Sequence, residues 1–204
     1  FVPYFIYEGS GNDNPEARKA HQIEQRYLEL VIRATGHPAP GTKWVAETDQ
    51  AAEAAPAAES LLPPTRDYFD AQRHSFGLHV GDDGGPFANS YHVGDDVAGR
   101  RQHETVVAIG NGTVREVRVA APSWGGIVII EHRDAKTKQR YCSLYSHLGP
   151  LVCVQPGQRV RKGAMLGSLG QDYTVATGGY ASHLHFGIHL TPYDDPKVPA
   201  SRNW

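Results

Sequence analysis

From about residue 73 onward the chain is a succession of short β-forming runs, each bounded by glycine or proline. They read TVVAIG, GTVREVRVA, GGIVIIEH, RYCSLYSHL, GQRVRKGAMLGSLG and SHLHFGIHL. Val, Ile and Tyr suit a pleated, half-buried surface, and Gly and Pro mark the turns between strands. Such a series is expected to fold as consecutive hairpins, giving a mostly β unit with an antiparallel sheet as its core. The 22 Gly and 14 Pro among 204 residues point the same way, toward many turns.

The first third has a different character. Residues 14–35, NPEARKAHQIEQRYLELVIRAT, carry the signals of one helix. Asn14 is a good N-cap, Pro15 suits the first helical position, and Glu16 favours the positive end of the dipole. Ile23, Tyr27, Leu30 and Val31 fall on one stripe, and Gly36 stands where a helix-terminating glycine belongs. Residues of about 48–64, TDQAAEAAPAAESLLPP, are rich in Ala and Pro and read as a linker. The expected division is therefore an N-terminal, helix-containing extension over 1–72 and a β unit over 73–204. The chain opens FVPYFIYEGS, with no initiator Met and no basic stretch leading into an apolar one. The expectation is that any signal peptide has already been removed.

Composition excludes several classes. A formal net charge of −2 leaves no basic footprint for nucleic acid. No apolar run is long enough to span a bilayer. Cys142 and Cys153 are too few for a disulfide framework or a zinc finger, and read as two buried apolar thiols.

The 11 histidines carry the chemical signal. In HLHF, His183 and His185 share one face of a strand, and Leu184 and Phe186 the other. Two imidazoles roughly 6–7 Å apart suit one metal ligand and one neighbour that either supports the ligand or takes part in catalysis. His189 has the same parity but lies too far along the strand, and reads as a strand-end surface residue. In YSHL, Tyr145 and His147 share a parity opposite to Cys142 and Leu144, so this strand too is expected to offer a polar face. The sequence HVGDD occurs twice, at His79–Asp83 and His92–Asp96. Four residues along a strand is too far for His92 and Asp96 to share an ion, so the chain must turn between them, which Gly94 allows. His92, Asp96 and His185 would make a His₂Asp site with a fourth position open for water. His147 and His183 would remain beside it, as titratable groups near neutral pH.

Together these segments match a family pattern. SFG, HVGDDVAG, VVAIGNGTV, GGIVIIEH, YSHL, VQPGQRVRKG and HLHF follow one another in order and rough spacing from Ser75 to about Leu190. In this the chain resembles the lysostaphin/LytM-type zinc endopeptidases, whose fold is a barrel-sandwich-related sheet of hairpins. The resemblance implies one catalytic Zn²⁺ on His92, Asp96 and His185, with His147 and His183 as catalytic histidines. It implies a peptidoglycan peptide as substrate, hydrolysed by metal-activated water in cross-links or stem peptides. It further implies a periplasmic or secreted location. Trp124, in the turn PSWGG, and Tyr145 are expected to line the substrate groove.

The departures from the pattern lie around the site. Leu78 and His79 follow SFG where Arg is frequent, Gly126 stands where Asn is common, and Ser182 and Gly187 flank HLHF in place of Pro and Glu. GQDYTVATGGYAS, before HLHF, is longer than usual. Three other readings compete. A LytM-like module could regulate other hydrolases without catalysis. VRKGAM could be the lysine tip of a biotinyl or lipoyl carrier, with Lys162 modified. Asp82 and Asp83 could bind calcium, although they lack the spaced oxygens of an EF-hand. Of the two HVGDD copies, the second is expected to hold the metal, and His79 is expected not to touch it.

Overall fold

A computed structural model describes residues 44–45, 57–79, 81, 88–98 and 102–194. The helix expected over 14–35, and Asp82 and Asp83, lie outside the described residues. Within them are ten strands and no helix. These are β1 (Trp44–Val45), β2 (Gln72–His74), β3 (Asp95–Ala98), β4 (Thr105–Val107) and β5 (Gly112–Ala121). They continue with β6 (Gly125–Arg133), β7 (Arg140–Val152), β8 (Arg159–Val160), β9 (Met165–Leu169) and β10 (His183–His189).

All pairings of these strands are antiparallel, and the main path through the sheet runs β1-β5-β6-β7-β10-β3-β2. The β5–β6–β7 stretch is the consecutive meander that the sequence leads one to expect. The centre departs from a simple series of hairpins. The last described strand, β10, enters between β7 and the early β3, so segments far apart in sequence become neighbours. β7 pairs with β6 along one edge and is long enough to serve two partners on the other. Its first half pairs with β10, and farther along Leu148 and Val152 pair with Leu169 and Gly167 of β9. β9 in turn pairs with β4, so the sheet curls over itself.

That curl encloses the main core. Val106, Val128, Ile130, Tyr145, Leu148, Leu166, Leu169 and Leu184 are all within 1% of complete burial. β6 shows why its run Ile127–Ile130 is apolar without interruption. Val128 and Ile130 face this core, while Ile127 and Ile129 pack on the opposite face with Ala121, Cys142, Leu144 and Trp124. A stretch of strand covered on both faces favours apolar residues at successive positions.

Residues 57–71, upstream of the expected boundary, are tied into this sheet. Ala58 N–H donates to Arg133 O (2.9 Å), Leu62 N–H to Ile109 O (2.8 Å) and Val107 N–H to Pro64 O (2.9 Å). Tyr68 is buried in the main core.

Two expectations need correction. Tyr145 does not line a groove: it is fully buried, with its ring 5.5 Å from Phe186. Its hydroxyl accepts from Ile109 N–H at 3.0 Å and is hydrogen-bonded to Ser143 Oγ at 3.0 Å. A phenol with both polar partners inside the core can sit there at little cost. The cysteines also differ from the expected buried pair. Both are free, but only Cys142 is buried, whereas Cys153 is exposed. Burial pushes the Cys142 thiol well above its ordinary value.

The polar chain through Ser143 continues to His132, which is 1% exposed. His132 Nδ1 lies 2.8 Å from Asn111 O and Nε2 2.7 Å from Ser143 Oγ. The neutral ring satisfies both contacts, donating to the carbonyl and accepting from the hydroxyl. Burial lowers its pKa to about 4, against the opposing pull of the Asn111 carbonyl and Glu131. A histidine held neutral contributes stability that is complete above pH 6.5 and is lost as pH falls toward 4. At about 1.4 kcal/mol per unit, the loss is about 3 kcal/mol. The stability difference between wild type and His132→Gln should shrink by that amount between pH 7 and pH 4 in denaturant titrations. A difference that stays constant over this range would show that His132 titrates normally.

Candidate metal centre

Three adjacent strands present the site. In the registers His185↔Asp96 and His185↔Ser146, β3, β10 and β7 place Asp96, His185 and Ser146 in one row across one face. His183 follows on the same face of β10. His92 is not on a strand: the chain bends at Gly94 before β3 begins, as the four-residue spacing requires. Gly94 has a second role. A Cβ there would lie 2.6 Å from Phe186 O and 2.8 Å from His185 Nε2, so a larger residue would push the ligand ring aside.

His92 Nε2, Asp96 Oδ1 and His185 Nδ1 converge. The edges of their triangle are 3.1 Å between the nitrogens, 3.2 Å from His92 to Asp96 and 2.7 Å from His185 to Asp96. Tetrahedral zinc with bonds of about 2.0–2.1 Å would space its donors by about 3.3 Å, so the residues present fit such an ion with small adjustment. The chemistry of the donors fits too. His92 Nδ1 lies 3.3 Å from Ser75 O, which places its proton there and turns the Nε2 lone pair inward. Two imidazoles and a carboxylate aimed at one point are what a borderline cation relieves. Asp96 is ionised: burial works against this, but the His185 hydrogen bond and the nearby His183, His185 and His92 bring its pKa to about 2. Among the described residues this is the one group with metal-binding spacing. His79 is not in it. That ring is exposed, edge-on to Tyr91 with centroids 5.2 Å apart.

His147 reaches the same face by a route that alternation does not predict. The register His185↔Ser146 would carry it to the core side, with Tyr145 and Leu184. Instead its φ is +63°, a left-handed conformation that reverses the side chain. Its ring lies 4.2 Å from that of His183 and 6.2 Å from that of His185. The strain, of order 1–2 kcal/mol, is offset by backbone bonds on both sides. His147 N–H donates to Trp124 O (3.0 Å), and His147 O accepts from Gly170 N–H (3.0 Å). His147 Nδ1 is buried without a hydrogen-bond partner; the Thr177 carbonyl faces the imidazole but falls short of a full hydrogen bond. Burial first, then the neighbouring His183 and His185, hold the ring well below its ordinary pKa, so it is neutral at physiological pH. His183 Nδ1 lies 2.6 Å from Ala181 O, and its Nε2 lies 3.6 Å from Asp96 Oδ1. A proton on Nδ1 leaves Nε2 as an acceptor facing the centre.

The walls come from two connections. Trp124, in the β5–β6 turn, is half-buried, its ring edge-to-face with that of His185 and the centroids 5.2 Å apart. The long segment before β10 supplies Tyr180, whose ring lies 5.7 Å from His147 and 6.2 Å from His183. Sequence reading passed over Tyr180, although the unusual length of that segment was a signal. The segment docks on the turn backbone to backbone, with Gly126 N–H donating to Ala176 O (3.1 Å). Gly125 has φ +65°, and a Cβ on it would lie 1.6 Å from Ala176 O. Gly125→Ala should therefore cost about 3 kcal/mol or more and lower the melting temperature by roughly 10 °C. A melting temperature within 2 °C of wild type would refute this tight docking.

An all-antiparallel sheet with a His₂Asp donor set and two further histidines beside it defines the class of a metal-dependent hydrolase. The family comparison agrees: the description "Peptidase family M23" matches residues 90–196, just over half of the chain. The chain belongs to peptidase family M23. No curated protein matches it in sequence. Among solved structures, a zinc-containing peptidase from Vibrio cholerae is similar, with 26% identity and a TM-score of 0.50. The match covers 65% of this chain and 37% of that one. The solution structure of lysostaphin is similar at 20% identity and a TM-score of 0.47, covering 64% of this chain and 48% of lysostaphin. The chain thus spans less than half the length of either.

Proposed function

We propose that this protein is a zinc-dependent endopeptidase that hydrolyses peptide bonds of peptidoglycan, in cross-links or stem peptides. The observation that carries the reading is the convergence of His92 Nε2, Asp96 Oδ1 and His185 Nδ1, with His147 and His183 on the same face. Membership of peptidase family M23 and similarity to a structure described as a zinc-containing peptidase support it.

His92, Asp96 and His185 would hold the zinc, which supplies a Lewis acid that acidifies water and polarises a carbonyl. The chain's own groups do the rest. His183, with its proton directed to the Ala181 carbonyl, offers Nε2 as a proton acceptor at the centre. His147 is kept neutral by burial, and its ring, beside that of His183, is placed to exchange a proton with the reacting peptide. Trp124 forms one wall of the groove for the substrate, next to His185. With peptidoglycan as substrate the site of action lies outside the inner membrane.

Metal analysis of the purified protein tests the reading. It should contain one zinc per chain. A chelator should remove the metal together with peptidase activity, and zinc should restore both. Full activity in chelator-treated, metal-free protein would contradict it.

A further inference from the structure

We propose that Tyr68 and Asp95 form a positioning relay for His92, through which residues upstream of the family-matched region help to set metal affinity. The proposal rests on His92 being a metal ligand, as argued above. It also gives the second aspartate of HVGDD a role. Neighbouring residues of a strand point to opposite faces. Asp96 turns toward the histidines, and Asp95 turns toward the side where Tyr68 packs edge-on against Phe186, with centroids 5.8 Å apart.

The Asp95 carboxylate divides its oxygens between two partners. Tyr68 O–H donates to Oδ2 at 2.8 Å, and Phe76 N–H donates to Oδ1 at 2.9 Å. Phe76 immediately follows Ser75, whose carbonyl lies 3.3 Å from His92 Nδ1 and so sets the tautomer of that ring. The backbone around it closes on His92 as well: Gly77 N–H donates to His92 O and His92 N–H donates to Leu78 O, each at 2.8 Å. Ser75, Phe76, Gly77 and Leu78 are all exposed, so the core gives this segment little grip. Tyr68, by contrast, is 8% exposed and part of the main core. The order of dependence is Tyr68 to Asp95, Asp95 to the Ser75–Phe76 backbone, and that backbone to His92. Tyr68 and Phe76 both precede residue 90, where the family match begins.

Zinc affinity, read by competition with a chromophoric chelator at fixed pH, tests the relay without using activity. Outer partners of a ligating histidine typically change metal affinity by about 10–100-fold. Asp95→Ala should weaken zinc binding by about tenfold, and Tyr68→Phe by a smaller factor. Asp95→Asn keeps an oxygen for Phe76 N–H and should fall between. Val160→Ala, in the core at β8, should lower the melting temperature and leave zinc affinity unchanged. In a His92→Ala background Asp95→Ala should have no further effect on residual binding. A folded Asp95→Ala protein with wild-type zinc affinity overturns the relay, as does an equal loss in the His92→Ala background. If Asp95→Ala does not fold, Asp95→Asn and Tyr68→Phe together decide, and wild-type affinity in both overturns it. Wild-type protein that takes up no zinc overturns the metal reading and the relay with it.

Discussion

His185→Ala should abolish zinc binding at micromolar metal and take peptidase activity to background. His185 is the hub of the centre. Its Nδ1 contacts both other donors, and its ring lies against Trp124. Removing it leaves His92 and Asp96, two donors where a catalytic zinc takes three from the protein. Outer partners alone are worth about 10–100-fold in metal affinity, so loss of a ligand should cost more than about 100-fold. Asp96 would respond too, since the His185 hydrogen bond is the largest influence holding its pKa down. The sheet should survive, because Leu184 and Phe186, the neighbours of His185 in β10, face the main core. A folded His185→Ala protein that carries one zinc per chain would refute the ligand assignment. Metal content and circular dichroism on the same sample are sufficient.

His147→Ala should separate metal from catalysis. His147 is not in the donor triangle, so zinc stoichiometry should stay at one per chain. The turnover number should fall by about 10²–10⁴-fold, the usual worth of a positioned acid–base group. KM should change little, since the groove walls at Trp124 and Tyr180 remain. Alanine keeps the Cβ that makes the left-handed conformation costly but removes a buried ring nitrogen that lacks a hydrogen-bond partner, so stability should not fall in step with activity. Steady-state kinetics on zinc-loaded protein reads the outcome. Activity within threefold of wild type would remove His147 from the mechanism.

The contrast between these two histidines shows what the sequence makes legible. The β runs could be read from composition and spacing because local propensity and turn residues agree with the final strands. His183 and His185 could be placed on one face because β10 alternates without interruption. The bend between His92 and Asp96 followed from distance alone. His147 shares the face of His185, but the expected reason was wrong. Strict alternation put it beside Tyr145 on a polar face, whereas Tyr145 points into the core and a left-handed residue turns His147 away from it. A single positive φ, held by Trp124 O and Gly170 N–H, carries no periodic signal. The partnership of β3 with β10 was equally hidden. His185 and Asp96 are 89 positions apart, and only packing of the whole sheet sets their register. The doubled HVGDD divides clearly: His79 faces Tyr91, and the second copy turns toward His185.

The most direct measurement is digestion of purified peptidoglycan fragments by the zinc-loaded protein, with mass analysis of the products. The account predicts new peptide termini at one type of bond, absent after chelation and restored by zinc. Zinc-loaded, folded protein that leaves every cell-wall peptide intact would contradict it, and would mark the chain as a binding module instead.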